Sequence, residues 1–303
     1  MNPILNEPLS RISLLGIFAA MAVYTVAFLV LANNLSRLAS EKKAVRETAG
    51  SPEKWGVRLL WVAATLHAFG VITRGIAANR VPWANMYEFS ITGTLVAVTI
   101  FLVAQIYKRE VRFIATFVAG FVLLVLGIAT TLWYVQVKTL MPALQDYWLV
   151  IHVSVAILGT AFFNIAAALS IAYLLKDAKF LVAPKSKILQ WGKRLLAMFP
   201  EPNRLERLAY RFNIIGFILW SFTLIAGAIW AERAWHRYWG WDTKEVWTFI
   251  IWTIYAGYLH ATATRGWSGK RAAWLSLIGF AAIIFNFSIV NLYFKGLHVY
   301  SGL

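Results

Sequence analysis

Five histidines and a run of indoles are the residues of this chain best suited to chemistry. The histidines are His67, His152, His236, His260 and His298. The indoles concentrate in "WAERAWHRYWGWDTKEVW", residues 230–247, where five tryptophans stand among two arginines, one histidine and three acids. A neutral imidazole is a good metal ligand, and two facing imidazoles form a bis-axial set for haem iron. A wall of flat apolar rings with a basic edge suits a flat aromatic ligand bearing carboxylates, because guanidinium pairs bidentately with carboxylate. A porphyrin has that form: its macrocycle would stack on Trp235, Trp239 and Trp241, and its propionates would meet Arg233 and Arg237. Trp235 and Trp239 are four apart, as are Arg233 and Arg237, so a helical segment would put each pair on one face.

Plainer roles exist for the same residues. Tryptophans at a membrane surface anchor a protein at headgroup depth. Asp242 and Glu245 precede an apolar run with the spacing of a helix N-terminal capping box, and Asn85 and Glu88 in "NMYEFS" repeat it. A lone histidine in an apolar helix can hydrogen-bond a neighbouring helix. Capping does not account for Trp230, Trp235, Trp239, Trp241, Trp247 and Trp252 falling within 23 residues.

The elements that must carry these side chains are membrane helices. Of 303 residues, 60% are hydrophobic, above the roughly 45–50% usual for soluble proteins. Eight apolar runs are long enough to cross a bilayer: about 13–33, 57–77, 88–107, 112–132, 149–175, 212–231, 244–264 and 272–293. The reading is an all-α integral membrane protein with about eight transmembrane helices, forming a single domain over 1–303. The first run lacks the pattern of a cleavable signal peptide. The net charge of +16 follows from topology, since 21 of the 29 basic residues fall in the loops after odd-numbered spans. The positive-inside rule puts those loops in the cytoplasm and both termini outside, and it removes nucleic acid as a partner. The absence of cysteine excludes a disulfide, a thiolate metal site or a dithiol redox step in this chain.

The inner loop 176–211 is basic and amphipathic. Ile188, Leu189, Trp191, Leu195, Leu196 and Phe199 alternate with basic residues, as in a helix lying on the membrane surface. Beyond Pro200 and Pro202, Asn203 and Glu206 have the spacing to cap a new helix. The 230–247 stretch is then an outer loop, tight against the membrane. His67 and His260 lie within the spans towards the inner side, and His152 and His298 lie at the outer edge, which gives one inner and one outer imidazole pair. Intramembrane ionisable groups are functional candidates by default.

"WHRYWGWDTKEVW" resembles the tryptophan-rich WWD signature of the haem-handling proteins of cytochrome c maturation. "NMYEFS", "YWLVIHVSVAILG", "LAYRFNIIGF", "YLHATATR" and "NLYFKGLHVYSG" occur in order and extend the similarity to the CcsA/ResC family of the system II pathway, from about residue 57 onward. The resemblance implies that His67 and His260 bind haem within the bilayer. It implies that His152 and His298 hold haem iron at the attachment site, with Trp235, Trp239, Trp241, Asp242 and Glu245 as the loop signature. Two positions depart from the family pattern: His236 replaces the usual Gly and Thr243 the usual Pro. His236 is expected to be solvated.

The same resemblance implies export or delivery of haem b and its presentation to apocytochrome c, whose CxxCH thiols add across the haem vinyl groups. The chain would then be a subunit of a cytochrome c synthase, or haem lyase. Its expected partners are a CcsB/ResB-type membrane protein, the apocytochrome, and separate thiol-reducing proteins. Its expected location is a bacterial cytoplasmic membrane or a thylakoid-like one, with the WWD loop on the periplasmic or lumenal side. The competing reading is a transporter or non-haem membrane anchor whose indoles form only an interfacial belt.

Overall fold

The computed structural model describes residues 6–40, 50–107, 114–138, 145–178, 186–197, 199–294 and 296–297, and every regular element among them is helical. The helices are α1 (Glu7–Ser40), α2 (Gly50–Ala78), α3 (Met86–Tyr107), α4 (Ala115–Leu132), α5 (Tyr147–Lys176), α6 (Lys187–Leu196), α7 (Pro202–Trp235), α8 (Thr243–Thr264) and α9 (Lys270–Phe285). A single π turn, Asn286–Val290, and a last short turn, α10 (Asn291–Tyr293), prolong α9. Seven of these helical stretches are long and apolar enough to cross a membrane. The seventh sequence-predicted span, α8, forms as a 22-residue helix but is not among them. At 1.5 Å per residue it is about 33 Å long, enough to cross. Lys244, Glu245, His260 and several threonines dilute its hydropathy.

The chain divides into two compact units. The first contains α1–α4 and α6. Its helices α1 and α2 pack along their length through small residues that let the backbones close. A Cβ on Gly70 would lie 2.7 Å from the Ile17 side chain, and one on Gly16 would lie 3.2 Å from the Gly70 Cα. At this crossing Ser13 Oγ donates to the Gly70 carbonyl at 2.6 Å. Ile17, Ala20, Tyr24, Leu60, Ala63, Ile91, Val98, Ala119, Val122 and Leu126 fill the core. The predicted surface helix is present as α6, started by Ser186, whose hydroxyl accepts from Leu189 N at 3.2 Å. None of its residues is buried.

The second unit contains α5 and α7–α10, with α5 and α7 paired along their length. Gly159 and Gly216 face each other at this crossing, and a Cβ on Gly216 would meet the Phe163 ring at 2.8 Å. The expected Asn203–Glu206 capping box does not form. The helix α7 begins earlier, with Pro202 in its first turn and no side-chain cap. Proline suits that position because its fixed φ is already helical and its missing N–H would have no partner there. Glu206 instead accepts from Gly269 N at 2.6 Å, tying α7 to the α8–α9 turn.

Candidate functional site

His152 sits in the second turn of α5, and three residues on one face of α7 hold its ring. Nδ1 lies 2.9 Å from the Thr223 carbonyl. A carbonyl only accepts, so Nδ1 carries the proton and the basic lone pair is at Nε2. A hydrogen bond of this kind fixes the tautomer and ring orientation of a metal-binding histidine. Gly227 supplies the space, since a Cβ there would come within 2.8 Å of Cε1 and 2.9 Å of Nδ1. The Trp230 indole lies nearly parallel to the imidazole, 6.1 Å away at 18°. Trp230 is fully buried and meets Trp235 edge-on at 4.7 Å, with Leu149 and Trp148 completing the cluster.

The helix α7 ends at Trp235. His236 takes the left-handed conformation, φ 57°, and its N–H bonds the Glu232 carbonyl at 2.7 Å. This is a helix C-terminal position where glycine is favoured, in keeping with the Gly that the resemblance leads one to expect there. The His236 side chain is exposed. The expectation of a continued helical face is therefore corrected: Trp239 and Arg237 lie beyond the helix and share no face of it with Trp235 and Arg233. Residues 236–242 instead form an irregular loop. Trp239 meets Trp241 edge-on at 6.0 Å and Phe249 at 6.4 Å. Trp241 also has a positive φ, 60°, and its side chain is 78% exposed. A left-handed backbone costs a non-glycine residue roughly 1–2 kcal/mol. Here it holds a large apolar ring in the open.

The capping box is present. Asp242 caps α8, with Oδ1 accepting from Lys244 N at 2.9 Å, and Glu245 Oε2 accepts from Asp242 N at 3.1 Å and Gly240 N at 2.8 Å. The other oxygen of Asp242, Oδ2, accepts the Leu297 amide at 2.7 Å. Lys244 is a further tether. Its Nζ donates to the Asn286 carbonyl at 2.8 Å and to Asn291 Oδ1 at 2.9 Å, which joins the start of α8 to the π turn.

The other expected residues are less concentrated. Arg233 pairs with Asp146 at 3.4 Å and lies 5.0 Å over the Tyr147 ring, on an exposed surface. Arg237 donates to the Gly240 carbonyl at 3.2 Å, within the loop. His260 is exposed on α8. His298 lies outside the described residues. His67, on α2, is fully buried in the first unit; its Nδ1 is 3.4 Å from the Tyr24 hydroxyl and its Nε2 has no hydrogen-bond partner among the described residues. The Ile91 backbone also hydrogen-bonds this ring, so the buried imidazole is held by its neighbours and does not by itself mark an iron ligand. Sequence reasoning missed Thr223, Gly227, Lys244 and the pairing of Asp146 with Arg233. Thr223, Gly227 and Trp230 follow the i, i+4, i+7 spacing of one helix face, but only the α5–α7 packing puts that face against His152.

Fold and loop together describe a multi-span helical membrane protein with a histidine- and tryptophan-built platform at one end of its second unit. The cytochrome c assembly protein family model matches residues 83–298. The cytochrome c biogenesis protein CcsA of Cyanophora paradoxa is 33% identical over 268 residues, covering 76% of this chain and 82% of that one. CcsA of Guillardia theta is 34% identical over 251 residues, covering 76% and 80%. CcsA of Prochlorococcus marinus is 37% identical over 179 residues, 54% of this chain and 57% of its own length. The chain belongs to the CcsA family. Its fold is similar to that of the cytochrome c haem lyase CcmF, with a TM-score of 0.65 at 15% identity over 92% of this chain. It spans 46% of that longer protein.

Proposed function

We propose that this chain holds haem on its outer tryptophan loop and presents it to apocytochrome c for covalent attachment. As a member of the CcsA family it works in cytochrome c biogenesis. The observation that carries the haem reading is Trp241: a left-handed backbone keeps its indole in the open beside Trp239, on a loop braced at both ends. Backbone held in a sparsely populated conformation clusters at binding sites and switch regions.

His152 would supply one axial ligand through Nε2, its tautomer set by the Thr223 carbonyl, and His298 the other. Trp235, Trp239 and Trp241 would offer ring faces and edges to the macrocycle, with Arg233 and Arg237 near its carboxylates. His67 and His260 would bind haem within the bilayer. The apocytochrome brings the thiols, and addition of each S–H across a vinyl group makes the thioether. This chain binds and orients, and the porphyrin, haem b in this proposal, brings the reactive groups. Thiol reduction falls to separate proteins because the chain has no cysteine. A CcsB/ResB-type protein is the proposed membrane partner.

The proposal also takes α8 as an eighth span, the two units as one membrane domain, and both termini and the loop as facing the periplasm or lumen of a bacterial or thylakoid-like membrane. The test is the absorption spectrum of detergent-purified protein, with and without its partner. A Soret band that diminishes in His152→Ala is expected. Lack of any Soret band, oxidised or reduced, would return the loop to the role of an interfacial belt.

A further inference from the structure

The α8–α9 turn, "RGWSGKR" at 265–271, surrounds an open cavity of about 370 Å³. It is lined by Arg265, Gly266, Trp267, Ser268, Lys270 and Arg271. Three of these residues are cationic and one carries a hydroxyl. Pockets for apolar small molecules are lined mainly by hydrophobic side chains, so this lining suits an anion instead. The turn stands at the end of α8 opposite the tryptophan loop, and the outer haem site makes no use of it.

The turn is held in one shape. Gly266 and Gly269 both take positive φ, 62° and 66°, which residues with a Cβ rarely adopt. The Arg265 and Trp267 amides both donate to the Ala261 carbonyl at 3.1 Å, closing the end of α8. Gly269 N donates to Glu206 Oε1 at 2.6 Å and so fastens the turn to α7. Side chains that leave so short and braced a segment stay close together. Of the two carboxylates at the turn, Asp177 pairs with Lys270 at 3.0 Å and Glu206 is taken up by the Gly269 amide. Among the described residues, neither Arg265 nor Arg271 has an ion-pair partner. The turn thus carries three cations against two carboxylates, and its two guanidiniums are the groups left for an incoming anion. A guanidinium meets phosphate oxygens with two parallel N–H donors, which makes phosphate a well-matched ligand.

The neighbouring helix says where that phosphate comes from. The stretch Lys270–Tyr293 is long and apolar enough to cross the membrane, so its first residues stand at headgroup depth. Arg271, Trp274, Ile278 and Ala281 recur at intervals of three and four, which puts them on one helix face. All four are exposed, Trp274 by 58% and Ile278 by 53%. One face of α9 therefore carries a cation at its head and an open apolar stripe below it, with Trp267 also exposed beside the cavity. A free phosphate ion would use only the cations. An amphiphile with a phosphate head and hydrocarbon chains would use the whole face.

We propose that the α8–α9 turn binds the phosphodiester headgroup of an anionic membrane lipid. Arg265 and Arg271 hold the phosphate oxygens, the Ser268 hydroxyl and the Lys270 ammonium add donors, and the acyl chains lie along Trp274 and Ile278. The inference needs α9 to cross the membrane and is independent of the haem reading.

The test uses the full-length protein in a neutral detergent, with bound lipid counted by native mass spectrometry. Dioctanoyl phosphatidylglycerol and dioctanoyl phosphatidylcholine are titrated separately. They share chains and a phosphodiester, but choline cancels the phosphate charge. Phosphatidylglycerol should bind on the order of tenfold more tightly, the scale of one or two cations at a membrane surface. Arg265→Gln with Arg271→Gln should erase that preference by weakening phosphatidylglycerol alone, and lysine at both positions should restore part of it. Arg11→Gln with Arg58→Gln removes the same charge from exposed positions of the first unit and should leave the preference intact. All four arginines are exposed, so the Tm of each variant should stay near that of the parent. Equal binding of the two lipids by the parent overturns the site. So does a preference that survives Arg265→Gln with Arg271→Gln, or one that the Arg11 and Arg58 replacements erase equally. Inorganic phosphate distinguishes the sources: in large excess it should leave phosphatidylglycerol bound, and displacement at matching concentrations would mean a site for free phosphate and overturn the lipid proposal. Trp274→Ala should weaken both lipids alike, because their chains are the same, and unchanged binding there would overturn the placement of the chains on α9.

Discussion

One carboxylate of Asp242 links two parts of the second unit: Oδ1 caps α8 at Lys244 N, and Oδ2 holds the Leu297 amide at 2.7 Å, one residue before His298 in sequence. The two bonds make different demands. Asparagine is as good an N-cap as aspartate and retains one acceptor oxygen, but its other head is a donor and is repelled by an amide N–H. Asp242→Asn should therefore keep α8 and lose the second link. Asp242→Ala should lose both, with about 1 kcal/mol from the cap alone. The expected outcome is near-native thermal unfolding of Asp242→Asn with reduced outer-site haem, and a lower Tm as well for Asp242→Ala. Full haem occupancy in Asp242→Asn would show that the Leu297 contact does not matter for binding.

Gly227 gives a second handle on the same site. A methyl at this position would press against Cε1 and Nδ1 of His152 at under 3.0 Å. The ring must give way, and the Thr223 bond goes with it. Overpacking of this kind costs about 1–3 kcal/mol. Gly227→Ala should leave α5 and α7 formed yet resemble His152→Ala in the outer haem spectrum. Gly257, which has open space around the same ideal Cβ, is the control. A normal spectrum in Gly227→Ala would mean that the ring does not need its present seat.

What can be read from sequence follows the range of the interaction. The Asp242–Glu245 cap is legible because it closes within four residues. Spans are legible because hydropathy is summed along one helix. The end of α7 at Trp235 is not, because a left-handed residue that stops a helix is announced by glycine, and histidine stands at 236. Asn85 and Glu88 have the spacing of a cap, and Asn85 does accept from Glu88 N at 2.9 Å. The Glu88 side chain instead joins two arginines, and no local pattern shows that Arg74, fourteen residues away, shares its layer. Histidine depth is visible in sequence because it counts residues along an axis. Facing direction is not, which is why Thr223 and Gly227 emerge only from the packing of α5 on α7.

Topology gives an independent prediction. The segments that follow α1, α3, α5 and α8 alternate with those on the tryptophan side if α8 crosses the membrane. A reporter fused after Leu303 should then be active only outside the cytoplasm. A fusion at 267, in the exposed α8–α9 turn, should show the opposite behaviour. Activity at 267 with none after Leu303 would overturn the arrangement in which α8 crosses and both termini face outside.

Added imidazole separates the ligand sets. Alanine at residue 152 or 298 removes one proposed ligand near water, where a small neutral ring can diffuse in and bind iron in its place. At 152 the replacement also removes the ring that fills the space over Gly227, leaving room for the added molecule. His67 is different. It is enclosed by Tyr24 and the α2–α3 packing, so His67→Ala opens a gap in a helical core and gives free imidazole no exposed path. Imidazole should therefore restore cytochrome c maturation better at 152 and 298 than at 67. His260 is exposed on α8 in this structure, so its variant tests the membrane itself: weak rescue there means that lipid or protein covers the residue in place. His236→Ala is the internal control. Its ring is exposed and its backbone only caps α7, so the variant should mature cytochrome c unaided, with a small loss or gain of stability set by the left-handed φ. A severe defect at 236 that imidazole corrects would move the outer ligand assignment to that residue.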